Sequence, residues 1–245
     1  MGDLQLYLLI FFRSFGFFLI LPFLEAGAGV FLKAILSLLT AFIFWPTMTQ
    51  VVDMSDITAL TCIQEIIIGT ILGTSILLPI IAAEIFGDIF DTGRGMTLGQ
   101  IVDPFNGAQL SYTSFLTKWF FITLFFTSGG LMILLNLLRE SFKIIPCGAV
   151  DGGAIQSLAT NLLKIIPYTM SAVFSLGLIA MFLYIAVELV FLFLSKVIPN
   201  LSFQSEAFFL KSVLGYGMLY IALQWVPVDA ANNFGARLFA MLIGG

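Results

Sequence analysis

The sequence of 245 residues contains no histidine and few charged side chains. Without histidine, Ser-His-Asp and Cys-His nucleophiles, His-liganded metal sites and imidazole proton relays are excluded. Charged residues make up only 10% of the chain, whereas soluble proteins have about a quarter. Hydrophobic residues make up 60%. This composition predicts a membrane protein with about five to seven transmembrane helices, at roughly 20 residues per span.

Other absences narrow the function further. The sequence has no Walker A loop, no GxSxG and no CxxC motif. A net charge of -4 leaves no basic surface for nucleic acid. Cys62 and Cys147 lie far apart in the chain and are interpreted as small buried hydrophobic residues rather than a disulfide or a metal pair. We therefore predict no enzyme activity, no cofactor, no metal and no nucleic-acid partner.

Long apolar segments dominate the chain. Segments 4–24 and 30–45 form a predicted hairpin that Pro46 closes, with the first segment retained rather than cleaved as a signal peptide. Segment 57–90 would be about 51 Å long as one helix, against a hydrocarbon core of about 30 Å, so we expect a bend at Pro79. Further helices are predicted at 112–138 with an interruption at Gly129-Gly130, at 154–198 divided by Pro167, and at 207–226, with a short apolar tail at 234–243.

Charged residues inside these apolar segments are the informative positions. Each costs roughly 2.5 to 3.5 kcal/mol at a bilayer centre unless it has a partner or water. Glu84 and Asp88 are one helical turn apart, and Glu188 and Lys196 are too far apart for a direct ion pair. The charges either form buried structural pairs, line a hydrated path or contact other subunits. As interface candidates we select Arg13, Glu65, Glu84, Asp88, Glu188, Lys196 and Lys211.

A stripe of small residues marks one helix face. Glu65, Gly69 and Gly73 recur every four residues, and the two glycines form a GxxxG motif that permits close helix approach. The motif alone predicts tight packing against another helix and no specific function.

Segment 91–111 is polar and rich in glycine, and we predict it to be the main loop. Irregular backbone at membrane depth occurs only where protein buries it or where it lines a cavity. The segment is either a solvated surface loop or a gate. The candidate gate residues are Arg94, Gly95, Met96, Leu98, Ile101, Val102, Asp103, Pro104 and Phe105.

Several short motifs occur in a specific order along nearly the whole chain. They are Phe12-Arg13 with Leu21-Pro22-Phe23, Glu65 with Gly69 and Gly73, Asp91-Thr92-Gly93-Arg94-Gly95, Asp103-Pro104-Phe105-Asn106-Gly107, Ser128-Gly129-Gly130, Ser141-Phe142 with Pro146, and Glu188 with Ser195-Lys196, Pro199 and Lys211-Ser212. With these motifs the sequence resembles the T-subunit family of the type III secretion export apparatus (SctT), whose flagellar counterpart is FliR. Glu188 and Lys211 resemble the virulence branch more than the flagellar one.

This resemblance implies an all-α membrane protein of long helical hairpins, with residues 1–245 forming a single helical export-gate domain. Its implied partners are several copies each of the R and S subunits, the U switch subunit, the V export ring, membrane lipid and, as transported substrate, unfolded secreted proteins. The implied location is the bacterial inner membrane, with much of the assembly on the periplasmic side. Segment 91–111 would help to plug the channel.

Two other functions remain as alternatives. A small-solute or ion transporter would use Glu84 and Asp88, but it predicts duplicated halves with matching broken helices, and the sequence contains no internal repeat. An intramembrane aspartyl protease is disfavoured because Ile85-Phe86-Gly87-Asp88 lacks the first glycine of a GxGD motif. The leading prediction is a structural and gating subunit of a protein-export channel.

Overall fold

The computed structural model describes residues 2–22, 29–48, 59–96, 99–103, 107–148, 152–198 and 203–225. The helices are α1 (Gly2–Ile20), α2 (Gly29–Met48), α3 (Ala59–Arg94), α4 (Tyr112–Thr127), α5 (Gly130–Ile144), α6 (Gly152–Val197) and α7 (Phe203–Trp225). Strands β1 (Gln100–Val102) and β2 (Gln109–Ser111) form a small antiparallel hairpin. The predicted all-α class is confirmed, with this hairpin as its one short β element among the described residues.

The chain is a multi-pass membrane protein. In the described part, α2, α3 and α6 are long and apolar enough to cross a membrane. Helices α4 and α5 meet at an angle of 72° and would together supply a fourth crossing if they form one broken span. The predicted interruption at Gly129-Gly130 is confirmed, because Gly129 has a φ of 83° and directly precedes α5.

The largest core lies where α1, α2 and α3 meet the amphipathic α5 and the first half of α6. Its fully buried members include Leu6, Ile10, Phe17, Ile68, Leu72, Leu138 and Ile165. The GxxxG stripe of α3 packs against α1 of the same chain. A Cβ atom at Gly73 would lie 2.6 Å from the Phe17 carbonyl oxygen, and one at Gly69 would overlap the Arg13 carbonyl oxygen. The backbones of α1 and α3 therefore touch directly.

The helix boundaries predicted at Pro46 and Pro167 are wrong, whereas Pro79 was expected to bend its helix and not to end it. Helix α2 continues past Pro46 to Met48, α3 runs for 36 residues through Pro79, and α6 runs for 46 residues through Pro167. A proline removes one backbone donor, and transmembrane helices tolerate this because neighbouring helices, Ser or Thr side chains and local adjustments satisfy the freed backbone groups. Helices α3 and α6 are therefore continuous through their prolines.

The predicted loop at 91–111 is also corrected. Helix α3 extends to Arg94, and Gly95, with a φ of 80°, ends it while the Met96 amide donates to the Asp91 carbonyl at 2.9 Å. Positive φ at this position suits glycine. At the other end, residues 109–111 pair with 100–102 rather than forming irregular loop. Helix α5 likewise continues to Ile144, beyond the predicted end at 138.

Some predictions fall outside the described residues. Among the candidate gate residues these are Leu98, Pro104 and Phe105, and the short tail predicted at 234–243 also lies outside.

Candidate functional site

The buried charges form a set of pairs that join distant parts of the chain. The first pair joins α1 to α3, with Arg13 Nε 2.5 Å from Glu65 Oε2 and both side chains fully buried. Arg13 Nη1 also donates to the Ser141 and Ile145 carbonyls, at 3.1 and 2.8 Å, so it closes the C-terminal end of α5 as well. The guanidinium lies 4.6 Å from the centroid of the Phe142 ring.

Glu65 completes this arrangement on the opposite side. Its Oε1 accepts from the Gly148 amide at 3.1 Å, in the turn after α5. The subunit-interface role predicted for Arg13 and Glu65 is therefore wrong, because this chain's own helices enclose both side chains. They are a buried structural pair, which was the other interpretation of the sequence.

Cys147 lies beside this pair and is 2% exposed. Burial raises the pKa of its thiol to about 12, opposed by the positive charge of Arg13 and assisted by the negative charge of Glu65. Cys62 is half-buried, and neither cysteine forms a disulfide. The interpretation as a small buried hydrophobic residue is confirmed for Cys147, whereas Cys62 is only half-buried.

A second cluster closes the base of the hairpin. The Asp91 carboxylate accepts from the Thr113 amide and hydroxyl, both at 2.7 Å, and pairs with Arg94 Nη2. Arg94 Nη2 also donates to the Thr113 hydroxyl at 2.7 Å. Ser111 is the N-cap of α4, and its hydroxyl accepts from the Ser114 amide at 3.3 Å. Asp91 thereby satisfies a backbone donor in the first turn of α4, as a capping residue does.

A third cluster fixes the far end of β1. Lys118 Nζ, from the second turn of α4, lies 2.8 Å from the Asp103 carboxylate and 3.4 Å from Glu84 of α3. Asp103 is 1% exposed, and its amide donates to the Ala108 carbonyl at 2.8 Å. The hairpin is therefore attached to the helices both at its base and near its turn.

Helices α3 and α4 are in backbone contact between these two clusters. A Cβ atom at Gly87 would overlap the backbone of Ser114. The Ser114 hydroxyl lies 2.7 Å from both the Glu84 carbonyl and the Asp88 carboxylate. The close approach at Gly87 brings the charged groups of the two helices within hydrogen-bonding distance.

The last pair joins α6 to α7. Lys211 Nζ lies 2.5 Å from Glu188 Oε2, with the Lys211 side chain 10% and the Glu188 side chain 62% exposed. Glu188 thus has a partner on another helix, and Lys196, which the sequence shows to be too distant for a direct pair with Glu188, is exposed and lies outside this pair. Among the described residues, no three Cys, Asp or Glu side chains are placed to hold a metal ion.

The sequence as a whole matches one protein family. The model of bacterial export proteins, family 1, matches residues 4–236. The chain belongs to this family. Its members are export-apparatus components and not enzymes.

Individual relatives come from both secretion systems and flagella. The chain is 37% identical to the secretion system apparatus protein SsaT of Salmonella typhimurium over 84 residues, 34% of this chain and 32% of that protein. It is 26% identical to the surface presentation of antigens protein SpaR of Shigella flexneri over 171 residues, 70% of this chain and 65% of that protein. The flagellar biosynthetic protein FliR of Buchnera aphidicola is 28% identical over 221 residues, 86% of this chain and 82% of the relative. The chain thus spans less than two thirds of the first two relatives.

The structure separates the candidate gate residues of this bacterial export protein into two groups. Arg94 and Asp103 are buried and hold the hairpin in place. Gly95 and Val102 are exposed, and Met96 and Ile101 are half-buried.

Asp91, Thr113 and Lys118 are among the site residues that were not selected from the sequence. Lys118 could have been found, because it is a charge inside the apolar helix 112–138. Asp91 and Thr113 are polar residues at a segment boundary, where solvation is the ordinary expectation, and only the fold reveals that they meet.

Proposed function

We propose that the chain is a structural and gating subunit of a type III protein export apparatus in the bacterial inner membrane, acting as a single domain over residues 1–245. The family match over 4–236 and relatives from both secretion systems and flagella support this proposal. The transported substrates would be unfolded secreted proteins. A solute transporter has no support from these relatives, and the Glu84 and Asp88 carboxylates that suggested it are engaged by Lys118 and Ser114.

The observation that carries the gating role is the attachment of the hairpin. Two ionic clusters hold it at its base and at Asp103, while Val102 of β1 remains 58% exposed. A closure needs fixed ends, so that it returns to one position, and an apolar surface that seals against a neighbour. The hairpin combines fixed ends with an exposed apolar residue beside one of them, which supports a closure of this kind.

The exposed surface of α6 supports assembly with other subunits. Its apolar segment covers 43 residues, about 65 Å of helix against a hydrocarbon core of about 30 Å. Phe182 and Phe193 are each 70% exposed and Val197 is 77% exposed. Lipid cannot cover the whole segment, so we propose that the R and S subunits, in several copies each, cover the remainder, with the U switch subunit and the V export ring as further partners.

Replacing the hairpin tests the gating role. Residues 99–109 are exchanged for a short Gly-Ser linker, which leaves Asp91, Arg94, Ser111 and Thr113 in place. We expect the complex to assemble, as measured by co-purification of R and S subunits with a tagged chain. Cells carrying it should then become permeable to ions or small solutes, measured as membrane conductance.

A matched control exchanges the segment's polar residues Gln100 and Gln109 for Asn, which keeps the hairpin and should leave the membrane tight. A linker variant that assembles normally and conducts no ions would show that another segment closes the channel. Failure of the parent chain to co-purify R and S subunits would contradict the assembly role itself.

A further inference from the structure

Arg94 joins two parts of the molecule that are distant in sequence. On one side its Nη2 pairs with Asp91 and donates to the Thr113 hydroxyl at 2.7 Å, at the base of the hairpin. On the other side its guanidinium carbon lies 4.4 Å from the centroid of the Tyr216 ring in α7. The guanidinium is planar and rigid, so one orientation must serve both contacts.

Helix α7 is held to the rest of the chain by a narrow stripe. Among the α7 residues whose burial is described, Ala207, Lys211 and Gly215 are buried and recur every four positions, while Phe209 is 66% and Tyr220 is 64% exposed. Lys211 pairs with Glu188, and a Cβ atom at Gly215 would overlap the Tyr184 hydroxyl of α6 and lie 3.0 Å from Arg94 Cδ. Arg94 is therefore part of the surface on which α7 rests.

The rest of the Arg94 side chain has few alternatives. It is 2% exposed, and neither Nε nor Nη1 has a hydrogen-bond partner among the described residues. Without those hydrogen bonds, the face of the Tyr216 ring is the contact that stabilises this side of the cation. Loss of that contact would leave the guanidinium held on one side only, by Asp91 and Thr113.

We propose that Arg94 is a positioning residue that couples the hairpin to α7. Displacement of α7 removes the Tyr216 ring from Arg94 and loosens the base of the hairpin. Loosening of the base in turn weakens the contact of Arg94 with α7. The coupling is reciprocal, as thermodynamic linkage requires. It goes beyond the proposed gating role, because it holds whether or not the hairpin closes a channel.

A double-mutant cycle between Thr113 and Tyr216 tests the coupling. The full chain in membranes carries Cys62→Ser, Cys147→Ala and Ala207→Cys, which places one thiol on the buried stripe of α7. The readout is the rate at which a maleimide alkylates this thiol. Thr113→Val and Tyr216→Leu should each raise the rate. In the double variant, the increase in the alkylation rate should be at least about threefold smaller than the product of the two single increases. Coupling of this size is usual for residues that share a contact.

Two further variants make the outcome specific to Arg94. Thr117→Val removes a hydroxyl one turn along α4, which donates to the Ala83 and Thr113 carbonyls. In the double variant with Tyr216→Leu, the increase in the alkylation rate should equal the product of the two single increases. In an Arg94→Gln chain, Thr113→Val and Tyr216→Leu should no longer depend on each other.

Independent effects of Thr113→Val and Tyr216→Leu in the parent chain would overturn the proposal. So would a dependence that persists after Arg94→Gln. If the Arg94→Gln chain does not accumulate, the parent cycle compared with the Thr117→Val cycle decides the question by itself.

Discussion

Lys118 and Asp103 form an ion pair in which both side chains are enclosed by protein, 4% and 1% exposed, with 2.8 Å between Nζ and the carboxylate. The lysine belongs to α4, and the aspartate follows β1 directly. The pair therefore attaches the C-terminal end of β1 to α4, the helix that begins directly after β2. The position of the hairpin is fixed at both ends and not only by its connections to α3 and α4.

Asp103→Asn should release the hairpin from α4. Removing one member of a buried ion pair typically costs about 3 to 5 kcal/mol, because the other charge stays buried. The measurement is limited proteolysis of the chain in membranes, with faster cleavage expected between residues 99 and 111. Glu84→Gln is the control, since this carboxylate lies 3.4 Å from the same lysine and is 28% exposed. Equal cleavage of both variants would contradict the role of Asp103.

Glu65→Gln should destabilise the whole core, whereas Glu140→Gln should have little effect. Both glutamates lie 2.5 Å from a cation, but the Arg13–Glu65 side chains are 0% exposed and the Lys143–Glu140 side chains are 48% and 31% exposed. We expect losses of about 3 to 5 kcal/mol for the buried pair and below about 1 kcal/mol for the surface pair. Thermal unfolding of the purified complex measures both. Similar losses would show that burial does not determine the strength of these pairs.

Gly73→Ala should separate α1 from α3. The added Cβ atom would lie 2.6 Å from the Phe17 carbonyl oxygen, so the two helices must move apart. Gly217→Ala is a matched substitution in a helix, because nothing lies within 4 Å of its Cβ position. There the helix propensity of alanine predicts a gain of up to about 1 kcal/mol. Opposite shifts of the unfolding temperature are expected, and a neutral Gly73→Ala would refute direct backbone contact.

Cys147 should resist alkylation in the folded protein, whereas Cys62 reacts. Burial raises the pKa of the Cys147 thiol from 9.0 to about 12, so the reactive thiolate is scarce at pH 8. The folded state binds the Cys147 thiol proton more tightly than the unfolded state does. The stability that the protonated thiol contributes is therefore fully present below about pH 9 and is lost as the pH rises through about 12. Mass spectrometry after iodoacetamide treatment at pH 8 checks this. Modification of both cysteines without unfolding would contradict it.

Glu188→Gln should weaken assembly with neighbouring subunits. Only one carboxylate oxygen faces Lys211, and the side chain is 62% exposed on a helix whose exposed residues are mostly apolar. We expect a partner subunit to supply the second donor, so the co-purified fraction should fall. Glu206→Gln, also exposed and on α7, is the control. Undiminished assembly of Glu188→Gln would mean that its charge contacts no partner.

Much of the helical plan follows from the sequence. Apolar length predicts α3 and α6, and the spacing of Gly69 and Gly73 predicts a close helix contact without naming α1 as its partner. The boundaries predicted at Pro46 and Pro167 are wrong, because a transmembrane helix can accommodate a proline when neighbouring groups satisfy the backbone carbonyl that it frees.

The site was less predictable for a different reason. Arg13 and Glu65 are both recognisable as costly charges. Whether they pair depends on how α1 and α3 are placed relative to each other, and the sequence alone does not give that placement. The glycine-rich composition of 91–111 concealed the last turn of α3, since the ion pair between Asp91 and Arg94 and the contact with Thr113 form only in the folded chain. Strands of three residues, such as β1, are too short for a periodic signal.

The contacts of Arg13 also determine when the first helix can be completed during synthesis. Its carboxylate partner comes 52 residues later in the chain, and the two carbonyls that it bonds come 128 and 132 residues later. Until the ribosome has passed Ile145, α1 carries a cation without its final ligands. Arg13 can therefore acquire its complete set of hydrogen-bond partners only after more than half of the protein has been made.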